Sequence, residues 1–188
     1  MRYFLAIPLP EEVKEKLHRL NANFSDFKGL RFVNPDNMHL TLLFLGNSKV
    51  NEKINELKKI KFETFKLKTK KISVFPEKGR IRLVWVDLKQ SKELENLQKK
   101  ISKLFNIKKE YRPHITLARI KNLEKDEKTR IIKKVNEIKH EELTITVKNF
   151  KLYSSELTVL GPVHRVIEYF SSSKSEKTKK ESTGQIRA

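Results

Sequence analysis

The chain has 188 residues, 37% hydrophobic and 35% charged, which suits a soluble globular domain with a densely charged surface. It contains no cysteine, so disulfides and cysteine-based metal or redox chemistry are excluded, and no apolar run approaches bilayer-spanning length. A formal charge of +19 favours a polyanionic partner, RNA or DNA first, although a lysine-rich composition produces the same number without any nucleic-acid role.

In chain order, "RYFLAIPL" reads as a strand, and Glu11 to about Phe24 as a helix with Val13, Leu17 and Leu20 on one face. The apolar start ends at Pro8 and Pro10 and runs into Glu11 and Glu12 without a small-residue cleavage site. It is therefore read as strand and helix rather than as a signal sequence, and a cytoplasmic protein is expected. "HLTLLFLG" is a strand closed by Gly46, and "SKVNEKINELKKI" a helix with Val50, Ile54 and Leu57 at helical spacing. Residues 66–76 and 80–88 read as two strands around the turn "PEKG". Ser91 then caps a helix whose apolar face is Leu94, Leu97, Ile101, Leu104 and Phe105. "HITLARI" is a strand, and the helix after it buries Ile131, Val135 and Ile138. Two last strands run through "ELTITVKNFKLY" and "VHRVIEYF". Residues 171–188 lack aromatic residues and almost all aliphatic bulk, so a flexible basic tail is expected behind a single domain of residues 1–170. The tail holds five basic and two acidic residues, so most of the positive charge belongs to the folded part. Abundant lysine, glutamate and isoleucine beside only two methionines point to adaptation to heat.

Two of the five histidines open nearly identical words, "HLTL" at His39 and "HITL" at His114, 75 residues apart. Each word follows a strand and a helix, so the chain is expected to be an internal duplication of two β-α-β lobes. Alternate residues of a strand share a face. His39 and Thr41 therefore look one way and Leu40 and Leu42 into the core, and His114 and Thr116 match them. Lobes related by a pseudo-twofold axis would line one cleft with two imidazoles and two hydroxyls. A single His-x-Thr is most often a satisfied histidine at a strand edge; its duplication at matching places favours a site. Near neutral pH one imidazole can be neutral and another charged, which suits proton transfer at phosphorus. The threonines can hold phosphate oxygens, and Arg119 is the nearest guanidinium. Zinc chemistry fits poorly, because neither word has further ligands at metal-binding spacing; no cofactor is expected. Asp36, with Asn34 and Pro35, reads as turn chemistry. His18, His140 and His164 read as structural.

These words, with the start "RYFLAIPLP", the contexts "HLTLLFLG" and "RPHITLAR" and the late "LYSSELTVLGPVHRVIEYF", resemble the 2H phosphoesterase superfamily. The chain is most similar there to the RNA 2′,3′-cyclic phosphodiesterases long called 2′-5′ RNA ligases, over about residues 1–170. The resemblance implies an α+β, bilobal fold with two antiparallel sheets around a central cleft. It also implies metal-independent opening of a terminal 2′,3′-cyclic phosphate to a 2′-phosphate, with 2′-5′ joining as a related reaction. By the same resemblance His39 is the proton donor to the leaving oxygen and His114 the acceptor that activates water, labels that a pseudo-symmetric pair could exchange. Thr41, Thr116 and Arg119 match phosphate-binding positions. Phe44 matches an aromatic that stacks on the terminal base, with a core role equally open. His164 stands where many relatives place a tyrosine. The expected partner is RNA with a cyclic phosphate end, met by a monomer; the alternative is a non-catalytic module that binds a nucleotide or RNA end.

Overall fold

The structure is a computed structural model that describes residues 1–47, 50–76, 80–159 and 161–173. β1 (Arg2–Pro8) leads into α1 (Glu11–Arg19), β2 (Leu30–Phe32) and β3 (His39–Gly46). After α2 (Ile54–Lys58) come β4 (Phe65–Phe75), β5 (Leu83–Leu88), α3 (Lys92–Leu104) and β6 (His114–Ile120). α4 (Lys125–Glu137), β7 (Thr144–Val147), β8 (Asn149–Thr158) and β9 (Gly161–Ser171) complete the fold. Among the described residues no helix is long and apolar enough to cross a membrane.

The strands run in the order β7-β4-β5-β6-β3-β1-β8-β9, with β2 added to β6. The order reads as two matching sets of four that meet at β6 and β3, the two histidine strands. Pairing along the order is antiparallel. The expected pair of sheets is thus one curled sheet, and its halves join through a single residue pair, Leu40 opposite Ile115. On one side of that pair the gap is filled by β2, whose Arg31 lies opposite Arg119. On the other, the Tyr111 hydroxyl donates to the Thr41 main-chain carbonyl at 3.2 Å. Both halves share one hydrophobic core, in which Leu5, Leu40, Val86, Ile115 and Leu117 are fully buried.

The helices lie where apolar spacing places them. α3 buries Leu94, Leu97 and Ile101, and its first turn is closed by the Ser91 hydroxyl, which accepts from Leu94 N at 3.2 Å. α4 buries Ile131 and Val135 against β4. Two helices are shorter than expected. α1 stops at Arg19 and continues as a 3-10 turn to Phe24, and the second helical stretch is a 3-10 turn (Val50–Lys53) followed by only five α-helical residues. Few apolar anchors support a longer run there, and short helices depend on packing. The strand expected over residues 80–88 begins only at Leu83. The "PEKG" turn spans residues 76–79, of which 77–79 lie outside the described residues. Ser171, Ser172 and Ser173 belong to the folded body rather than to a tail: Ser172 is buried, and Ser173 N donates to Phe62 O at 2.9 Å. Residues 174–188 lie outside the described residues.

β2 depends on a close backbone approach. A Cβ at Gly29 would stand 1.7 Å from the Asn122 carbonyl oxygen, while Gly29 O accepts from Lys121 N at 2.9 Å. Gly29→Ala is expected to push β2 away from β6 and to cost about 1–3 kcal/mol, read as a fall in the chemical-denaturation midpoint. An unchanged midpoint would show that β2 is not held by this contact.

Candidate active site

The register across the seam fixes which side chains face one another. With Leu40 opposite Ile115, both completely buried, the flanking residues His39, Thr41, His114 and Thr116 all point to the other face of the sheet. His39 and His114 sit diagonally across adjacent strands on that face, with backbones about 7–8 Å apart. The four side chains are half-buried, and Arg119 is exposed.

Each imidazole is held in the same way. His39 Nδ1 donates to the Asn37 carbonyl at 2.7 Å, and His114 Nδ1 donates to the Arg112 carbonyl at 2.7 Å. A carbonyl can only accept, so both Nδ1 atoms carry hydrogen and both Nε2 atoms are left for chemistry. Asn37 is itself fixed, its side-chain nitrogen donating to Pro162 O at 2.9 Å. The preceding turn is the one expected from sequence: Asn34 Oδ1 accepts from Asp36 N at 2.9 Å.

Aromatic rings back both histidines. Phe4 stacks on His39 with centroids 4.8 Å apart, and Tyr153 stacks on Phe4 at 5.0 Å with its own centroid 6.2 Å from His39. Trp85 lies 4.2 Å from His114, with Phe75 stacked behind it at 4.7 Å. Burial lowers His39 to about 4, and the nearby charges of His164, Arg119 and His114 push in the same direction against the Asn37 hydrogen bond. Burial also lowers His114, opposed by its hydrogen bond to Arg112 and by the Asp87 carboxylate. Both rings are therefore neutral at pH 7 in the unliganded protein. The two surroundings differ at one register position: Asp87 lies opposite His114 where Pro8 lies opposite His39. Ser73 donates its hydroxyl hydrogen to Asp87, which orients the carboxylate.

The structure brings together His39, Thr41, His114 and Thr116, and the Arg119 charge acts on both His39 and His114. Phe44 is 65% exposed, which removes the core reading, and its ring is 6.2 Å from Phe4. His164, read as structural from sequence, is corrected: its ring meets His39 edge-on at 5.6 Å and Phe4 at 4.9 Å. Its position on β9, opposite Ser155 of β8, depends on long-range pairing that local sequence does not carry. Among the described residues His18 and His140 bond within their own neighbourhoods, to Asn21 and Glu141. Sequence reasoning also missed Phe4, Trp85, Asp87, Tyr153 and Arg31. Asp87 gave a usable signal, a carboxylate in the otherwise apolar strand "LVWVDL". Arg31 reaches Gly161, its guanidinium 2.5 Å from where a Cβ would stand, and the φ of 131° at Gly161 is what favours glycine there. Among the described residues no group of three histidine or carboxylate side chains converges as a metal would require.

Known proteins match this arrangement along nearly the whole chain. Residues 7–85 and 86–164 each match the family described as LigT like Phosphoesterase, which makes the duplication explicit. The chain belongs to that family. A relative from Methanocaldococcus jannaschii named RNA 2′,3′-cyclic phosphodiesterase is 34% identical over 175 residues, covering 89% of this chain and 99% of the relative. One of the same name from Archaeoglobus fulgidus is 30% identical, covering 90% and 99%. The crystal structure of E. coli LigT complexed with 3′-AMP superposes with a TM-score of 0.72 at 22% identity, over 92% of this chain and 98% of that one, and shows a shared fold.

Proposed function

We propose that this protein opens the terminal 2′,3′-cyclic phosphate of RNA to a 2′-phosphate, with His39 as proton donor and His114 as proton acceptor. The observation that carries the reading is the pair of histidines on one face of adjacent strands, each with Nδ1 tied to a carbonyl and Nε2 left for chemistry. In this reaction water attacks phosphorus and gives its proton to His114 Nε2. The bond from phosphorus to the 3′ oxygen breaks, and that oxygen takes a proton from His39 Nε2. Thr41 and Thr116 bond the non-bridging oxygens, and Arg119 offsets the charge that builds on them. Phe44, exposed at the edge of the aromatic cluster, stacks on the terminal base. A 5′-hydroxyl in place of water would give a 2′-5′ linkage by the same proton transfers.

The role assignment has a physical reason. His39 and His114 occupy matching places in the two copies, but His114 has a carboxylate across from it where His39 has Pro8. Asp87 stabilises the imidazolium that forms when His114 accepts a proton, so His114 is the better base. The deeper depression of His39 makes its protonated form the stronger acid. The names of the relatives and the family match support the same activity.

The test is incubation of the protein, with chelator present, with an oligonucleotide ending in a 2′,3′-cyclic phosphate. The expected product carries a 2′-phosphate and a 3′-hydroxyl. A 3′-phosphate product would reverse the placement of the leaving oxygen, and tight binding without turnover would leave a binding module in its place.

A further inference from the structure

The reaction proposed above makes no use of His164, although its ring lies edge-on to His39 at 5.6 Å and to Phe4 at 4.9 Å. Strand pairing puts it on the reacting face. His164 is opposite Ser155, which shares a face of β8 with Tyr153, and Tyr153 stacks on Phe4 beside His39. The start of β9 is also pinned to the turn that orients His39. Asn37 donates its side-chain nitrogen to Pro162 O, and the Asn37 carbonyl accepts from His39 Nδ1. The Arg119 charge acts on His164 as it does on His39 and His114, so three imidazoles lie in the field of one guanidinium.

The nitrogens of His164 are used the other way round from those of its neighbours, which tie Nδ1 to a carbonyl. Among the described residues His164 Nδ1 is buried with no hydrogen-bond partner, while the side chain as a whole is half-buried, so Nε2 is the open nitrogen. Hydrogen on Nδ1 would be a buried donor without an acceptor. The neutral ring therefore carries its hydrogen on Nε2, and the doubly protonated ring is disfavoured. Burial and then the Arg119 charge lower the His164 pKa in the same sense. Neutrality suits the place. A charged His164 opposes protonation of His39, the state from which His39 gives its proton, whereas a neutral N–H adds a hydrogen bond without that conflict. We propose that His164 is a third substrate-contacting imidazole of this site, its Nε2–H donating to an oxygen of the bound phosphate. The proposal rests on the function proposed above and deepens it with a residue that lies in neither repeated word.

The test measures binding of a nucleoside 2′-phosphate and of inorganic phosphate by calorimetry at pH 7. His164→Phe keeps a flat ring against Phe4 and His39 but removes the donor, and is expected to raise Kd for both ligands about ten-fold. His164→Gln sets an amide N–H where Nε2 stands and is expected to bind within about three-fold of the unaltered protein. His164→Asn sets its amide at the buried Nδ1 position and is expected to bind as weakly as His164→Phe. Nitrogen NMR supplies a readout that packing alone does not move. His164 is expected as the Nε2–H tautomer, His39 and His114 as Nδ1–H, and the His164 Nε2–H signal is expected to shift downfield when the nucleotide is added. Unweakened binding by His164→Phe would overturn the proposal, as would His164→Gln as weak as His164→Phe, or a His164 signal that ignores the nucleotide. A defect seen with the nucleotide but not with inorganic phosphate would move the contact to sugar or base and overturn it too. Binding is read without turnover, so failure of this proposal and failure of the proposed activity are told apart.

Discussion

Alanine at His39 or at His114 is expected to lower turnover of a cyclic-phosphate end by about 10²–10⁴-fold, with the fold intact by circular dichroism. Each substitution removes the only group at its position able to hand over or accept a proton, and the carbonyls of Asn37 and Arg112 that hold the rings can do neither. The double variant is expected to be little worse than either single one, because donor and acceptor act in one step. Thr41→Ala and Arg119→Ala remove a hydrogen bond or a charge from a site that keeps its proton transfers, so their losses are smaller. Near-normal turnover by His39→Ala, measured at substrate saturation, would refute the two-imidazole mechanism.

The second large effect lies in the pH profile. The reactive free protein has His39 protonated and His114 neutral, and kcat/KM reports the free-state values of both groups. Both lie below the ordinary histidine value of 6.5, His39 at about 4. The bell for kcat/KM, which centres on the mean of the two, is therefore expected at about pH 5 or below and to fall about ten-fold per pH unit beyond its alkaline limb. A bound phosphate places negative charge between the rings and favours their protonated forms, so the kcat bell moves to higher pH. Asp87→Asn removes a charge that raises His114 and is expected to move the alkaline limb of kcat/KM to still lower pH. A uniform loss at every pH would instead make Asp87 merely structural, and a kcat/KM bell centred above pH 7 would contradict the buried, neutral rings. The same burial acts on stability. Because folded His39 resists protonation, the unfolded chain binds a proton that the folded one does not as pH falls from 6.5 toward 4. Stability contributed by the neutral ring is present above 6.5 and is lost across that window, on the order of 3 kcal/mol by the folded value.

The pattern that made the site legible was local. Strand alternation in "HLTL" and "HITL" was enough to put histidine and threonine on one face and leucine and isoleucine on the other. The helices α3 and α4 were legible for a similar reason, since their apolar stripes and the Ser91 cap are written in adjacent turns. What escaped was set by pairing at a distance. β2 is three residues long, too short for any period to show, yet it carries Arg31 to the cleft. His164 reaches His39 only because β8 and β9 lie beside β1 in this order. Phe4 and Trp85 look like ordinary core residues in their strands, and both are buried; only the register shows that each supports an imidazole.

The unlike partners of the two histidines, proline at one and aspartate at the other, bear on why the two copies share one polypeptide. A dimer of identical half-length chains would surround both rings with the same groups and bias neither toward giving or taking the proton. Covalent fusion lets each copy drift by itself, so one ring can become the stronger acid while its counterpart becomes the stronger base. A chain cut between the copies and supplied as two of either half would regain that forced equality.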